Sequence, residues 1–201
     1  HQLRLLRSAG FLRIVLCVGY LGEEIEAYVG VGSQFGLDVT YAYDGATLRG
    51  TGGALLNAQS LLGDRFVVLY GDSYLPINYR SVVEAFRTSE CPALMTVFRN
   101  EGRWDNSNTS FAEGRVRAYN KTVPTPEMNY IDYGVGVISL AALQPFRDAG
   151  RFDLADVYTK MAVARELAGF EVKQRFYEIG SRAGLAELDH LLRRGKEKIT
   201  L

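Results

Sequence analysis

Histidine is nearly missing from this chain: two residues in 201, His1 and His190. A zinc site built on imidazoles and a Ser–His–Asp relay are both set aside by that count. Cysteine is as scarce, with Cys17 inside an apolar stretch and Cys91 just before Pro92. Such a pair reads as buried free thiols of a reducing compartment, not as a disulfide or a metal pair, and a cytoplasmic location is expected. Charge of one sign is not in excess, because 23 Lys and Arg balance 23 Asp and Glu. Nothing in that balance points to a nucleic-acid groove or an anionic membrane surface. No apolar run approaches the ~20 residues that cross a bilayer, and no stretch reads as a secretory signal. Chemistry is left to carboxylates, lysine, arginine and the backbone. The 47% hydrophobic content suits one domain, residues 1–201, with a substantial core.

What the sequence does have is a short apolar run, Phe66–Leu69, bounded by Gly63-Asp64 before it and Gly71-Asp72 after it. A Val-rich run this short, between turn residues, predicts a strand buried on both faces. Ligands of open parallel sheets bind outside the carboxyl ends of the strands. A carboxylate at such an end can hold a hard metal ion, and a glycine beside it lets a ligand approach the backbone.

The other elements follow in order. Gln2–Ala9 reads as helix with Gly10 as its stop, Ile14–Val18 as a strand, Leu21–Val29 as a helix and Val39–Tyr43 as a strand. Together they make a right-handed βαβ unit. Gly50-Thr51-Gly52-Gly53 opens a helix continued by Leu55, Ala58, Leu61 and Leu62. Such a turn offers bare N–H groups at the positive end of a dipole, or it is only a tight turn capped by Thr51. Val82–Phe86 predicts a helix, Ala93–Phe98 a strand, and Arg99–Ser110 a polar loop over the sheet. Phe111–Lys121 predicts a hairpin turning at Glu113-Gly114. Ile131–Leu140 is a strand in which Gly134 and Gly136 mark a bulge or a close approach by a ligand. Leu154–Ala168 is an amphipathic helix capped by Asp153, and Glu171–Ile179 is a last strand. Ser181 caps a final helix that Gly195 ends. The class is α/β: a three-layer, mixed, mainly parallel sheet with helices on both faces.

Five segments in this order resemble the sugar-phosphate nucleotidylyltransferases, of the type that acts on hexose or heptose 1-phosphates. Arg13–Tyr20 with Leu21-Gly22-Glu23 is similar to that family's second strand and helix, and Gly50-Thr51-Gly52-Gly53-Ala54 to its nucleotide-binding turn. Leu69-Tyr70-Gly71-Asp72-Ser73 resembles its metal-binding strand end. Tyr119-Asn120-Lys121 and Ile131-Asp132-Tyr133-Gly134 resemble its sugar-phosphate segments, and Tyr177-Glu178-Ile179-Gly180-Ser181 its second metal site. The family's first strand and glycine-rich signature loop have no counterpart in these residues. A preceding segment bearing them is expected, and without it Ile14–Val18 and Phe66–Leu69 lack a partner between them. Glu178 stands where aspartate or asparagine is usual, Asn120 where many members have glutamate, and Asp132 where many have asparagine.

The resemblance implies a Rossmann-like nucleotide-diphospho-sugar transferase fold. It also implies transfer of a nucleoside monophosphate from a nucleoside triphosphate to a sugar 1-phosphate, with Mg²⁺ as cofactor and a homo-oligomer left open. Asp72 and Glu178 would hold the metal, with Asp72 and Lys121 as the catalytic pair. Gly50, Thr51, Gly52, Gly71 and Asp72 would meet the nucleotide, and Asn108, Asn120, Lys121, Asp132 and Gly134 the sugar phosphate. The chemistry suits such residues, because a sugar phosphate attacks as an anion and needs no general base. Two polyanions must instead be aligned and their charge neutralised. Two alternatives stay open: a non-catalytic nucleotide-sugar-binding module, and a metal-dependent glycosyltransferase. The second usually places two aspartates around one residue at the strand end, where this chain has only Asp72.

Overall fold

A computed structural model describes residues 1–100, 102–104 and 106–197, with side chains to residue 193. The chain opens with helix α1 (Gln2–Ser8), strand β1 (Arg13–Val18), helix α2 (Gly22–Val29) and strand β2 (Asp38–Tyr43). Helix α3 (Gly50–Asn57), strands β3 (Arg65–Leu69) and β4 (Ser73–Tyr74), helix α4 (Tyr79–Ser89) and strand β5 (Ala93–Arg99) follow. The second half holds β6 (Thr109–Ala112), β7 (Arg115–Tyr119), β8 (Tyr130–Ser139), α5 (Leu154–Ala164), β9 (Leu167–Val172), β10 (Tyr177–Glu178) and α6 (Arg182–Glu197).

Six strands form the main sheet in the order β3-β8-β5-β9-β7-β6. The α/β class and the helices on both faces are as the sequence predicts. Along β5, Ala93, Met95 and Val97 point into a cluster with Leu154, Val157 and Met161 of α5 and Leu55 of α3. Leu94 points the other way, into a cluster with Leu6 of α1 and Val82 and Phe86 of α4. This period-two alternation is what buries both faces of one strand.

The balance of directions differs from the expectation. Among the described residues only β1–β2 and β5–β9 are parallel. The β3–β8, β5–β8, β6–β7, β6–β8, β7–β9 and β4–β10 ladders are antiparallel. The long strand β8 runs against both β3 and β5 and sets that balance. β3 is also half-buried along its apolar run, not buried on both faces as expected, because its ladder runs only to β8. β1 pairs with β2 alone, in a separate two-stranded sheet. Ile14 of β1 and Val67 and Leu69 of β3 flank the same apolar cluster, yet the two strands share no ladder.

Smaller differences have local causes. The helix expected to reach Ala168 stops at Ala164, because Arg165 adopts a left-handed conformation (φ 61°) and its N–H turns back to the Ala162 carbonyl. The strand expected over Glu171–Ile179 is two short ones, β9 and β10, in different sheets. Helix α6 continues through Gly195 to Glu197. The hairpin turn is where it was expected, with both Glu113 and Gly114 at positive φ.

Candidate active site

The two carboxylates singled out from the sequence are brought together by a ladder of only two residue pairs. β4 and β10 pair antiparallel, Ser73 against Glu178 and Tyr74 against Tyr177. The Ile179 N–H donates to the Asp72 carbonyl at 2.8 Å and closes the end of that ladder. A Cβ built on Gly180 would stand 3.1 Å from Glu178 Oε2 and 3.9 Å from Asp72 Oδ2, so both carboxylates face one point that a glycine leaves clear. Each carboxylate is oriented by a neighbouring serine. Ser73 Oγ donates to Asp72 Oδ1 at 3.2 Å, and Ser181 Oγ to Glu178 Oε1 at 2.7 Å. Ser181 Oγ also accepts the Gly184 N–H, 2.9 Å, and so caps α6 as the sequence predicts. Magnesium takes one or two carboxylates from a protein and completes its octahedron with phosphate oxygens and water. Two oxygens converging at an exposed strand end fit that requirement. Among the described residues no larger group of His, Cys, Asp or Glu is gathered anywhere.

A second cluster lies beside the first, centred on Tyr70. The Lys121 ammonium sits 5.4 Å from the Tyr70 ring centroid. Burial, then the charges of Asp132, Asp153 and Asp72, push the Tyr70 hydroxyl far above its ordinary range, so it stays a neutral donor. Asp132 is held by the Tyr119 hydroxyl, 3.1 Å, and by the Gly134 N–H, 3.0 Å. Burial raises its pKa, while Lys121 and those two donors pull it back. Gly134 has φ +100°, a conformation L side chains rarely adopt, which is why glycine stands here. Tyr70 was not singled out from the sequence beyond its place in the strand-end segment. Its only signal there is an aromatic residue directly before Gly71-Asp72.

Several predicted contacts are already engaged within the chain. Asn120 Oδ1 accepts from Thr122 N, Thr122 Oγ1 and Val123 N, each at 2.9 Å, and so caps its own turn. Asn108 Oδ1 accepts from Thr109 Oγ1 at 2.8 Å and from Asp132 N at 3.0 Å. The amide oxygens of both asparagines are thus engaged within the chain. The Gly134 N–H is likewise spent on Asp132 and not free for a hydroxyl.

The glycine-rich turn is also not bare. Arg49, not Thr51, occupies the N-cap of α3. Gly52 and Gly53 donate to the Phe152 carbonyl at 3.1 Å each, and Thr51 N donates to Asp153 Oδ1 at 3.0 Å. Thr51 Oγ1 accepts the Leu154 N–H at 2.9 Å. A Cβ on Gly50 would collide with the Phe152 carbonyl, and one on Gly52 with the Phe152 ring. The glycines thus admit the backbone of the segment entering α5. Asp153 stands at the N-cap of α5 as predicted, in a capping box with Asp156. The bulge expected at Gly134 and Gly136 is present, since Met95 pairs with Gly136 but Val97 with Asp132, and Gly136 also makes room for the Tyr158 hydroxyl.

Two further features were not visible in the sequence. Asp44, after β2, is 9% exposed, and its Oδ1 is buried with no partner among the described residues, while Oδ2 accepts the Arg49 N–H at 3.1 Å. In the polar loop after β5, Trp104 lies under the Arg175 guanidinium, 3.8 Å from ring centroid to Cζ. Arg175 in turn pairs with Glu187 of α6, which fastens the loop beside β10.

An α/β sheet with this order of segments has the nucleotide-diphospho-sugar transferase fold. The chain belongs to the nucleotidyl transferase family, which it matches over residues 1–111. Among characterised relatives it is 35% identical over 96 residues to a UTP–glucose-1-phosphate uridylyltransferase of Synechocystis, covering 42% of this chain and 25% of that protein. It is 36% identical over 94 residues to a glucose-1-phosphate thymidylyltransferase of Streptomyces antibioticus, covering 46% and 26%. The matched stretch thus spans about a quarter of those relatives. Two solved structures share the fold at low identity. HddC from Yersinia pseudotuberculosis superposes with TM-score 0.72, 16% identity and coverage of 92% of this chain and 80% of that one. A UDP-glucose pyrophosphorylase complexed with UDP-glucose gives TM-score 0.74, 13% identity and coverage of 96% and 85%.

Proposed function

We propose that the protein transfers a nucleoside monophosphate from a nucleoside triphosphate to a sugar 1-phosphate, giving a nucleotide-sugar and pyrophosphate. The observation that carries this reading is the convergence of Asp72 and Glu178 on one point through the β4–β10 ladder. In the reaction a sugar-phosphate oxygen forms a bond to the α-phosphorus as the bond to the pyrophosphate oxygen breaks. No proton need be removed from the nucleophile, which accords with a site without histidine. Lys121, exposed and standing over Tyr70, would meet the sugar phosphate as a point charge. Asp132 would accept a sugar hydroxyl, and the Tyr70 hydroxyl would donate to a phosphate oxygen. Gly71 would let the nucleotide lie close to the strand end. Gly50, Thr51 and Gly52 would bound the nucleotide through the shape of their turn, since the Thr51 and Gly52 N–H groups and the Thr51 hydroxyl serve the chain itself. Mg²⁺, held by Asp72 and Glu178, would supply charge neutralisation at the phosphates.

The sheet bears on the same reading. Among the described residues β1 and β3 each leave an edge without a ladder. One extended segment between them would join the two sheets, and a glycine-rich loop after it would bring cations to the triphosphate. The test is pyrophosphate release by the intact protein with each of four nucleoside triphosphates and a panel of sugar 1-phosphates. Release that requires one triphosphate, one sugar phosphate and Mg²⁺ supports the reading. Tight binding of a nucleotide-sugar without turnover on any pair would replace it with a binding module.

A further inference from the structure

Asp72 lies in a tight turn, Tyr70-Gly71-Asp72-Ser73, that leads from β3 into β4. The Ser73 N–H reaches back to the Tyr70 carbonyl at 3.4 Å, a long closing bond for a β-turn. A Cβ built on Gly71 would meet no described atom within 4 Å, so packing there does little to fix the turn. A carboxylate in such a turn moves with it unless something else holds the backbone.

Gln2 of α1 supplies that hold. Its Nε2 donates to the Tyr70 carbonyl at 3.0 Å and also to the Ser73 carbonyl, so it grips the first and last residues of the turn. A carboxamide nitrogen has two N–H groups, and one side chain can therefore serve both carbonyls. The two bonds span 68 and 71 positions of sequence, so they are tertiary links and not a local cap. The helix that carries Gln2 is itself anchored elsewhere. Leu6 is buried in a cluster with Leu75, Tyr79, Val82 and Phe86, and Arg80 Nε donates to the Ala9 carbonyl at 3.3 Å. The same turn is also held by β10, whose neighbouring Ile179 N–H donates to the Asp72 carbonyl at 2.8 Å. Two elements thus grip the turn: α1 through Gln2, and the strand that bears Glu178.

We propose that Gln2 is a positioning residue for the metal pair: by holding both ends of the Tyr70–Ser73 turn it sets where the Asp72 carboxylate stands relative to Glu178. Its bonds go to carbonyls of the turn and not to either carboxylate, so it acts through the backbone that carries Asp72. The proposal rests on the reading of Asp72 and Glu178 as metal ligands, and separate results test the two.

The experiment uses the intact protein and Mn²⁺ alone, which takes the same octahedral oxygen ligands as Mg²⁺. Electron paramagnetic resonance of the free ion counts what is bound. Gln2→Met keeps the length of the side chain and removes both N–H donors. It is expected to weaken Mn²⁺ binding about fivefold or more, the worth of one or two ordinary hydrogen bonds, with a melting temperature no lower than that of Arg80→Gln. Gln2→Asn keeps the amide but draws it back by one methylene, and should weaken binding in the same direction. Arg80→Gln loosens the other end of α1 and should leave the Mn²⁺ affinity unchanged. In pyrophosphate release, Gln2→Met should need more Mg²⁺ for half-maximal rate and recover kcat at saturation. Unchanged Mn²⁺ affinity in both Gln2 variants, with binding abolished in Asp72→Asn, overturns the role of Gln2 and leaves the metal pair standing. Equal weakening in Gln2→Met and Arg80→Gln also overturns it, since the docking of α1 as a whole would then be responsible. Binding that survives Asp72→Asn overturns the metal pair and the role of Gln2 together.

Discussion

Lys121 and Asp132 divide the work at the sugar-phosphate end of the site. Lys121 is exposed, above Tyr70, and free to turn toward an incoming phosphate. Lys121→Ala is expected to weaken sugar 1-phosphate binding roughly tenfold or more while triphosphate binding changes little. Calorimetry with each substrate separately checks this, and equal losses for both would assign Lys121 a structural role. Asp132 has a different signature. Its pKa is raised in the folded protein above 3.8, chiefly by burial. A carboxyl that binds its proton more tightly when folded favours the folded state fully below its unfolded pKa. That contribution is lost as pH rises through the folded value. Asp132→Asn should therefore gain stability relative to the unaltered protein from about pH 4 upward, with no gain below it. Urea unfolding at a series of pH values measures the difference, and a gain that is flat across pH would contradict the account. The residue types were legible in the sequence, because carboxylates beside glycine at strand ends are unusual places for charge. Their partners were not. That Asn120 caps its own turn, and that Gly134 serves Asp132, depends on where the loop after β7 folds back.

At the scale of elements, the glycine-rich turn shows what the sequence leaves undetermined. Its glycines are equally suited to a ligand's backbone approach and to a neighbouring chain segment, and here the segment is Phe152–Leu154. Gly50 has φ +77° and no room for a Cβ beside the Phe152 carbonyl. Gly50→Ala is expected to destabilise the protein by about 1–3 kcal/mol, as other forced left-handed residues do. Thermal unfolding without any ligand is the test, and an unchanged melting temperature would mean that the turn does not need that glycine for packing. Most elements were legible from periodicity and turn residues, including the βαβ start and the Glu113-Gly114 hairpin. Their pairing was not. An apolar strand such as Phe66–Leu69 reads the same whether its neighbour runs parallel or antiparallel, so the β3–β8 and β5–β8 ladders could not be read from it. The two-residue strands β4 and β10 are too short to carry a pattern, yet they bring Asp72 to Glu178.

For the whole molecule, the family and the α/β layering follow from the order of segments, and the proposed chemistry follows from the one place where two carboxylates converge. Even charge balance suits a protein that binds its polyanions at a local metal and a few cations, not through a global field. The central claim is that Asp72 and Glu178 together hold the ion on which nucleotidyl transfer depends. Asp72 is exposed at a strand end, outside both large clusters, so its replacement leaves the core intact. The most direct measurement is Mg²⁺-dependent pyrophosphate release by the intact protein and by Asp72→Asn under the same conditions. The account predicts a loss on the order of a hundredfold or more, with the melting temperature unchanged. Near-normal turnover by Asp72→Asn would contradict it.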